Sequence, residues 1–172
     1  MQIATTFQLA MNRRYPEAVA IALAQDARGT PNPLTLHWVM PTALEPPMLA
    51  ISIEHTRYTL AAVRQAREFV VSFPSTTMSK EVIYFGTKSG REVPKLAACG
   101  TRTQPATVVR GVLLADAVAN FECVLVSEME TGDHVLFVGR VVAAHVHAEP
   151  KVRRVFAFGH SGLAAACSAA PV

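Results

Sequence analysis

The chain has 172 residues, of which 51% are hydrophobic and 17% are charged, and its formal net charge is +3. This length suits a single domain, and the low charged fraction indicates elements that are covered on more than one face. Such a composition excludes a disordered, collagen-like or disulfide-scaffolded protein. The cysteines, Cys99, Cys123 and Cys167, have no CxxC spacing, so the sequence predicts neither a disulfide framework nor a thiolate zinc site. A reducing cytoplasm is the simplest location.

The positive charge is concentrated in the middle of the chain. The net charge is −1 over residues 1–56, +6 over residues 57–110 and −2 over residues 111–172. An excess of this size is typical of a solvated face or of a site for a small anion such as phosphate, whereas nucleic-acid binders show a denser basic stripe. No apolar run approaches the roughly 18 residues of a membrane span. We therefore expect neither a nucleic acid nor a membrane as a partner.

The first third of the chain is predicted to form strands separated by turns. An apolar run at residues 18–24 ends in a polar turn, and two further apolar runs follow at residues 35–40 and 48–53. Three prolines, Pro41, Pro46 and Pro47, separate these last two runs. Because proline has no N–H group for a strand ladder, we expect a loop there rather than continuous pairing.

The middle third alternates between helices and one strand. Residues 59–67 place apolar side chains three positions apart, with arginine and glutamine between them, which predicts an amphipathic helix of two to three turns. A strand is predicted at residues 68–73. Two shorter helices are predicted at residues 79–85, ending before Gly86, and at residues 93–98.

The final third has the pattern of strands. In residues 117–126 the odd positions are apolar, while Asn120 and Glu122 lie on the other face, which predicts a half-buried strand. Residues 135–146 are almost wholly apolar, as expected for a strand covered on both faces, and such a strand needs a second surface against it. The dipeptide Gly132-Asp133 between them predicts an antiparallel hairpin.

These elements favour a mainly β fold. Several strands are interrupted by short helices without regular βαβ alternation, which favours a Greek-key barrel over a doubly wound parallel sheet. No repeat, linker or low-complexity tract divides the chain. We expect one domain over residues 1–172, with a core of about residues 15–160 and a small-residue tail at 164–172 that frays.

The usual nucleotide and metal motifs are missing. There is no GxGxxG, and the segment 86–90 places Lys-Ser before its second glycine, unlike a Walker A loop. Leu163 stands where a nucleophile elbow beginning at Gly159 requires glycine, which disfavours hydrolase chemistry. His145 and His147 share a strand face and are suited to begin a metal site, but no third ligand is near. We therefore predict no metal, and favour histidines at the surface or bonded internally.

Two segments of the basic third have the groups that bind small anions. The first is the start of the predicted 59–67 helix, where Arg57, Tyr58 and Thr59 combine a cation, hydroxyl groups and helix N–H groups, as in a phosphate site. The alternative is that Thr56 or Thr59 is only the helix N-cap and that Arg57 is solvated.

The second segment is the loop that follows the 79–85 helix. It offers Thr87, Lys88, Ser89 and Arg91 as donors, and its glycines permit close approach of the backbone to a ligand. A plain polar turn would have a similar composition, so the loop alone leaves both interpretations open.

Four motifs occur in a characteristic order along the chain. They are PN at 31–32 with LHWVMPT at 36–42, EPPMLAISI at 45–53 with YT at 58–59, VIYFGTKSGR at 82–91 with VPK at 93–95, and GDH at 132–134 with Gly139. In this order they resemble the flavin reductase-like, FMN-binding split-barrel family, and the third motif resembles its flavoredoxin-like branch. The resemblance implies a six-stranded antiparallel Greek-key split barrel with short flanking helices, and a homodimer with FMN near the interface.

The same resemblance assigns cofactor-binding residues. It implies that the strand edge faces the isoalloxazine ring, that a second strand and the helix start follow the ribityl-phosphate, and that the loop holds the phosphate. In that order the residues are Trp38, Val39 and Met40; Ser52, Ile53, Tyr58 and Thr59; and Thr87, Lys88 and Ser89. His37 stands where many members have serine or threonine, so a hydroxyl contact to flavin is either missing or replaced by imidazole.

His134 resembles the histidine that lies near the nicotinamide in members that use NAD(P)H. Because hydride transfer needs no protein acid, the implied catalytic role is orientation of the donor; the alternative is a hairpin turn kept for its geometry. We expect an FMN-binding oxidoreductase that passes electrons from NAD(P)H or another donor to flavin or an acceptor. The alternative is a non-catalytic flavin carrier that serves partner proteins.

Overall fold

The computed structural model describes residues 1–159 and 163–165. The helices are α1 (Phe7–Met11), α2 (Tyr58–Ala66), α3 (Ser79–Thr87) and α4 (Lys95–Cys99). The strands are β1 (Glu17–Ala18), β2 (Ala20–Gln25), β3 (Pro31–Leu36), β4 (Val39–Leu44), β5 (Pro47–Glu54), β6 (Glu68–Phe73), β7 (Thr103–Pro105), β8 (Val112–Leu114), β9 (Ala119–Thr131), β10 (His134–Val146), β11 (Val155–Ala157) and β12 (Leu163–Ala165).

The main sheet is antiparallel and has the strand order β3-β2-β6-β9-β10-β5-β4. Strands β9 and β10 form the hairpin that the sequence predicts, with Gly132-Asp133 at its turn. The φ of Gly132 is +64°, a conformation that glycine adopts without steric cost and that two-residue hairpin turns require. The turn places His134 opposite Glu54, at the end of β5.

Side chains from strands at or next to both ends of this strand order share one core. Leu34 on β3 and Ile51 on β5 belong to the same buried cluster as Phe69 and Phe137, and α2 adds Val63. The sheet therefore curls around the cluster, as a barrel does. The predicted mainly β, antiparallel class with short helices is confirmed. The main sheet has seven strands, where the resemblance implies six, and β4 is an edge strand.

A second cluster covers the opposite face of β2 and β6. Ile21 and Val70 pack there against Phe85 of α3 and Leu114 of β8. Helix α3 is fastened to β3, because the Thr35 hydroxyl donates a hydrogen bond of 2.7 Å to the carbonyl of Val82. This packing brings the loop after α3 close to the end of the core that α2 covers.

Three of the helices, α2, α3 and α4, lie near their predicted positions, whereas α1 is not predicted from the sequence. Helix α2 begins at Tyr58, one residue before the predicted start, and α3 continues past Gly86 to Thr87. Helix α4 is ended by Gly100, whose left-handed conformation permits the chain to turn away. In the described part of the chain, no helix is both long enough and apolar enough to cross a membrane.

The loop predicted between residues 40 and 48 is wrong. Strand β4 passes through Pro41 and pairs with β5, and a register irregularity follows between Pro41 and Ala43. Proline is tolerated because β4 is an edge strand, where one side of the backbone needs no ladder partner. The apolar run 35–40 is instead divided between β3 and β4.

The prediction that Asn120 and Glu122 lie on an open face is also wrong, because both are buried. The Asn120 amide bonds with the Ser72 hydroxyl at 2.6 Å and with the backbone of Leu114. The segment 107–109 covers Glu122 and donates its N–H groups to the carboxylate. The loop before β8 therefore supplies the polar partners that a buried face needs.

The predicted C-terminal tail is described only in part. Residues 164 and 165 belong to β12, which pairs with β11. Residues 166–172, which complete the predicted tail, lie outside the described residues, as do residues 160–162 of the segment compared with a nucleophile elbow.

Candidate functional site

The two segments with anion-binding groups face each other across one cleft. The cleft, called the anion cleft below, lies between the start of α2 and the loop after α3, and its cavity measures about 140 Å³. Its walls are formed by Leu34, Thr56, Arg57, Tyr58, Thr59, Thr87, Lys88, Ser89, Gly90, Arg91 and Lys95. The structure thus brings together five residues predicted for the phosphate end: Tyr58, Thr59, Thr87, Lys88 and Ser89.

Side-chain contacts fasten the two walls of the anion cleft to each other. The Arg91 guanidinium donates to the carbonyl of Thr56 at 3.2 Å and lies 5.2 Å from the centre of the Tyr58 ring. From the other wall, Arg57 donates to the carbonyl of Gly86 at 3.4 Å. Two arginines are therefore held in place at the cleft by backbone carbonyls.

Thr59 does not cap α2. The N-cap residue is Arg57, no side chain bonds to the first-turn N–H groups, and the first turn has no acidic residue. The Thr59 side chain is instead buried, and its Oγ1 accepts a hydrogen bond of 2.6 Å from Nδ2 of Asn32. The capping alternative is therefore wrong for Thr59, and this helix start keeps its affinity for negative charge.

Lys95 is a residue of the anion cleft that sequence reasoning missed. Its side chain is only 4% exposed, and Nζ donates to the carbonyl of Phe85 at 3.0 Å. Burial, aided by the nearby Arg57 charge, lowers the pKa of Lys95 to about 8. The sequence signal was present in VPK at 93–95, but a lysine that starts a short helix also fits a solvated position.

The anion cleft is strongly cationic. Four basic side chains, those of Arg57, Lys88, Arg91 and Lys95, line it, and no carboxylate of the described residues does. The Glu54 carboxylate, 3.0 Å from Arg57 Nε, lines the neighbouring cavity instead. An arrangement of this kind binds an anion with two negative charges, such as a phosphate monoester.

A second cavity of about 250 Å³ adjoins the anion cleft, and we call it the aromatic cavity. The two share Leu34 and Arg57 as wall residues. The remaining walls of the aromatic cavity are Arg14, Tyr15, Thr35, Leu36, His37, Trp38, Ser52, Ile53, Glu54 and His134. Of the predicted residues, the structure therefore brings Trp38, Ser52, Ile53 and His134 together here.

His134 is held at the mouth of the β9–β10 hairpin by two neighbours. Its ring lies 4.6 Å from the Trp38 ring between centroids, and Nδ1 is 2.7 Å from the Asp133 carboxylate. The bond from His134 lowers the pKa of Asp133. His37 also lines the cavity, and its Nδ1 is buried without a hydrogen-bond partner in the described chain.

Three predicted positions lie elsewhere or bind differently. Val39 packs against the central core, and Met40 is exposed on the edge strand β4, so neither lines the two cavities. His145 bonds to the buried Glu122 carboxylate at 2.7 Å. Among the described residues, no three His, Cys, Asp or Glu side chains are placed to hold a metal ion.

Comparison with known proteins gives matches along nearly the whole chain. Residues 11–162 match the family model described as flavin reductase like domain. An uncharacterized protein of Archaeoglobus fulgidus is 37% identical over 112 residues, 65% of this chain and 63% of that protein, so the match spans less than two thirds of that relative's length. The NADH-dependent FMN reductase AsuE2 of Streptomyces nodosus subsp. asukaensis is 30% identical over 142 residues, 82% of this chain and 74% of that protein.

A solved structure agrees with the fold over the full chain. Flavoredoxin from Methanosarcina acetivorans superposes with a TM-score of 0.86, covering 100% of this chain and 95% of that one, at 22% sequence identity. At this identity, the likeness supports the fold and not the chemistry of individual residues.

Proposed function

The chain belongs to the flavin reductase like domain family, and on that premise we propose that it is an FMN-binding oxidoreductase. It takes electrons from NAD(P)H or another donor and passes them to flavin or to an acceptor. The observation that carries the proposal is the junction of the two cavities, in which a cationic cleft continues into an aromatic cavity. FMN has the matching shape, with a phosphate at one end and a flat ring at the other.

The residues of the anion cleft fit the phosphate end. Arg57, Lys88, Arg91 and Lys95 supply positive charge, and the first-turn N–H groups of α2 lack a side-chain cap. A phosphate monoester carries close to two negative charges at neutral pH. Lys95 is suited to such a partner, because its buried amine donates to a carbonyl and no carboxylate of the described residues lines the cleft with it.

The residues of the aromatic cavity fit the ring end. Ile53 and Trp38 give the cavity apolar walls, while Ser52 places its backbone N–H on the Trp38 carbonyl at 3.0 Å and so fixes the strand edge. Bound FMN would supply the redox chemistry, by accepting a hydride from a donor and passing the electrons on. The cavity walls would hold the ring and exclude water from one of its faces.

His134 would orient the electron donor. Its imidazole is fixed between Trp38 and Asp133, so it presents one defined edge to the aromatic cavity. Hydride transfer itself moves no proton through the protein, which leaves binding and alignment as the work of this side chain.

We also propose that two copies of the chain associate. Helix α1 buries none of its residues, and Phe7 is 75% exposed. Large apolar side chains on β4 and β9, including Met40 and Met129, are more than half exposed as well. Apolar area of this kind is normally covered by a partner, and a second copy is the simplest one. Light scattering at micromolar concentration tests this, and a monomer would contradict it.

The cheapest test of the function is optical. The purified protein is titrated with FMN while its visible absorbance and flavin fluorescence are recorded, and we expect micromolar or tighter binding. NADH consumption is then followed with an excess of free flavin. Steady turnover supports the enzyme, whereas slow reduction by a single equivalent supports a flavin carrier. Absence of FMN binding contradicts both.

A further inference from the structure

Asn32 lies behind the anion cleft and contacts both of its walls without lining it. The side chain is on β3 and only 4% exposed. Its Nδ2 donates a hydrogen bond of 2.6 Å to Thr59 Oγ1, at the start of α2. On the other side, its Oδ1 lies against Gly90 in the loop after α3. One amide therefore separates the two segments that carry the anion-binding groups.

The contact with Gly90 is closer than any other residue would permit. A Cβ atom added to Gly90 would lie 1.9 Å from Asn32 Oδ1 and 3.0 Å from Cδ1 of Tyr58. Since Asn32 is buried and its Nδ2 is bonded to Thr59, its amide has little freedom to move away. The position of the loop relative to α2 is consequently set by the width of the Asn32 amide.

The bond to Thr59 decides how that hydroxyl can act. A threonine hydroxyl has one proton to donate, and here its oxygen accepts from the NH2 group of the Asn32 amide, which can only donate. In the described chain the Thr59 hydroxyl has no acceptor of its own, although the residue lines the anion cleft. A buried donor normally finds an acceptor, so this proton is available to an anion in the cleft.

We propose that Asn32 is a positioning residue for the phosphate of FMN. It makes Thr59 a donor towards the phosphate and holds the loop with Lys88 and Ser89 at the distance that the phosphate requires, without touching the ligand. The proposal rests on the proposed FMN function. It assigns to Asn32 an effect on the phosphate end alone, because neither of its two contacts reaches the aromatic cavity.

The test compares FMN with riboflavin, which has the same ring and ribityl chain but no phosphate. Asn32→Leu keeps the size of the side chain and removes both polar contacts. We expect the Kd for FMN to rise tenfold or more, because the Thr59 hydroxyl and the loop are no longer held in place for the charged phosphate, while the Kd for riboflavin changes less than about twofold. Ser72→Ala is the matched control, since it removes another buried hydrogen bond of 2.6 Å, between residues that line neither cavity.

A double-mutant cycle separates positioning from general loosening of the site. Thr59→Val should weaken FMN binding by a similar factor, and adding Asn32→Leu to it should weaken binding much less than it does in the wild type. If Asn32→Leu does not fold, Gly90→Ala tests the other contact, with the same expected loss for FMN and little for riboflavin.

The outcomes distinguish this inference from the function on which it rests. Equal losses for FMN and riboflavin, or no loss for FMN, overturn the role of Asn32 and leave the FMN function standing. A wild-type protein that binds neither flavin overturns the proposed function and this inference with it.

Discussion

Glu122 and Lys95 are both buried charged side chains, and the protein surrounds them in opposite ways. The Glu122 carboxylate is fully buried and accepts hydrogen bonds from the N–H groups of 107, 108 and 109, from the Thr107 hydroxyl and from His145. The Lys95 amine donates to the carbonyl of Phe85 and shares the cleft with three other cations, those of Arg57, Lys88 and Arg91.

The difference is visible in the two pKa values. Burial alone would raise the pKa of Glu122, but the hydrogen bonds from Thr107, Val108 and Val109 outweigh it and bring the pKa down to about 2. Burial, aided by the nearby Arg57 charge, lowers the pKa of Lys95 to about 8. Glu122 has hydrogen-bond partners inside the fold and stabilises the folded protein. Among the described residues, Lys95 has no opposite charge beside it in the cleft, which suits it to bind an anionic ligand.

The largest effect is expected on stability, for Glu122→Gln. The amide group can accept far fewer of the bonds that the carboxylate accepts, so the free energy of unfolding should fall by about 3 kcal/mol. Urea denaturation measures this. Glu68→Gln is the control, because Glu68 also accepts from a backbone N–H of the same loop, that of Arg110 at 2.8 Å, but is partly exposed. We expect that control to lose less than about 1 kcal/mol; similar losses would contradict the special role of Glu122.

The Glu122 carboxylate should also cause most of the loss of unfolding free energy at acid pH. Its pKa is about 2 in the folded protein and 4.5 for the free group. A lowered folded pKa means that the stabilisation is complete above pH 4.5 and is lost as the pH falls from 4.5 to 2, by up to about 3 kcal/mol. Unfolding free energies between pH 2 and pH 6 measure this slope. If the unfolding free energy of Glu122→Gln depends on pH as steeply as that of the wild type, other groups cause the acid sensitivity.

Lys95→Met should stabilise the protein, whereas Glu122→Gln destabilises it. Removing an amine that burial disfavours should raise the free energy of unfolding by about 1–2 kcal/mol at pH 7, without ligand. The Kd for FMN should rise tenfold to hundredfold, because a charge-assisted bond to phosphate is lost. Denaturation and FMN titration are measured on the same preparations. Lys80→Met, on the exposed side of α3, is the control and should change neither quantity. A destabilised Lys95→Met protein with unchanged FMN affinity would contradict this contrast, because Lys95 would then stabilise the fold as Glu122 does and would not bind FMN.

Local sequence signals predict part of the fold and part of the candidate site. Helices α2, α3 and α4 and the β9–β10 hairpin follow from periodicity and turn residues, which are local signals. The two halves of the anion cleft follow from composition as well, since Thr59 and Lys88 stand in recognisable donor-rich segments. The fold class can thus be predicted from the pattern of short apolar runs and the turn residues between them.

What the sequence hides depends on distant parts of the chain. Glu122 has the pattern of a solvated position until residues 107–109 are folded over it, and Lys95 until α4 is packed under the loop after α3. Pro41 forbids a ladder only in an interior strand, and whether a strand lies at the edge is a property of the whole sheet. The burial of a side chain, its bonding partners and the edge position of a strand therefore depend on tertiary structure, and a short stretch of sequence does not reveal them.

The smallest effect is a pH dependence of FMN affinity that Lys95 alone should cause. As the pH rises through about 8, the free amine loses its proton, while the pKa of the same amine beside a phosphate returns towards 10.5. FMN affinity should then fall about tenfold between pH 7 and pH 9, and binding at pH 8 should take up a fraction of a proton. Titration calorimetry in two buffers of different ionisation enthalpy measures that uptake. Lys95→Met should bind weakly at every pH and show neither the slope nor the uptake, whereas Lys80→Met should keep both. If the slope persists in Lys95→Met, another cation of the cleft titrates, and the buried amine is not the group prepared for the phosphate.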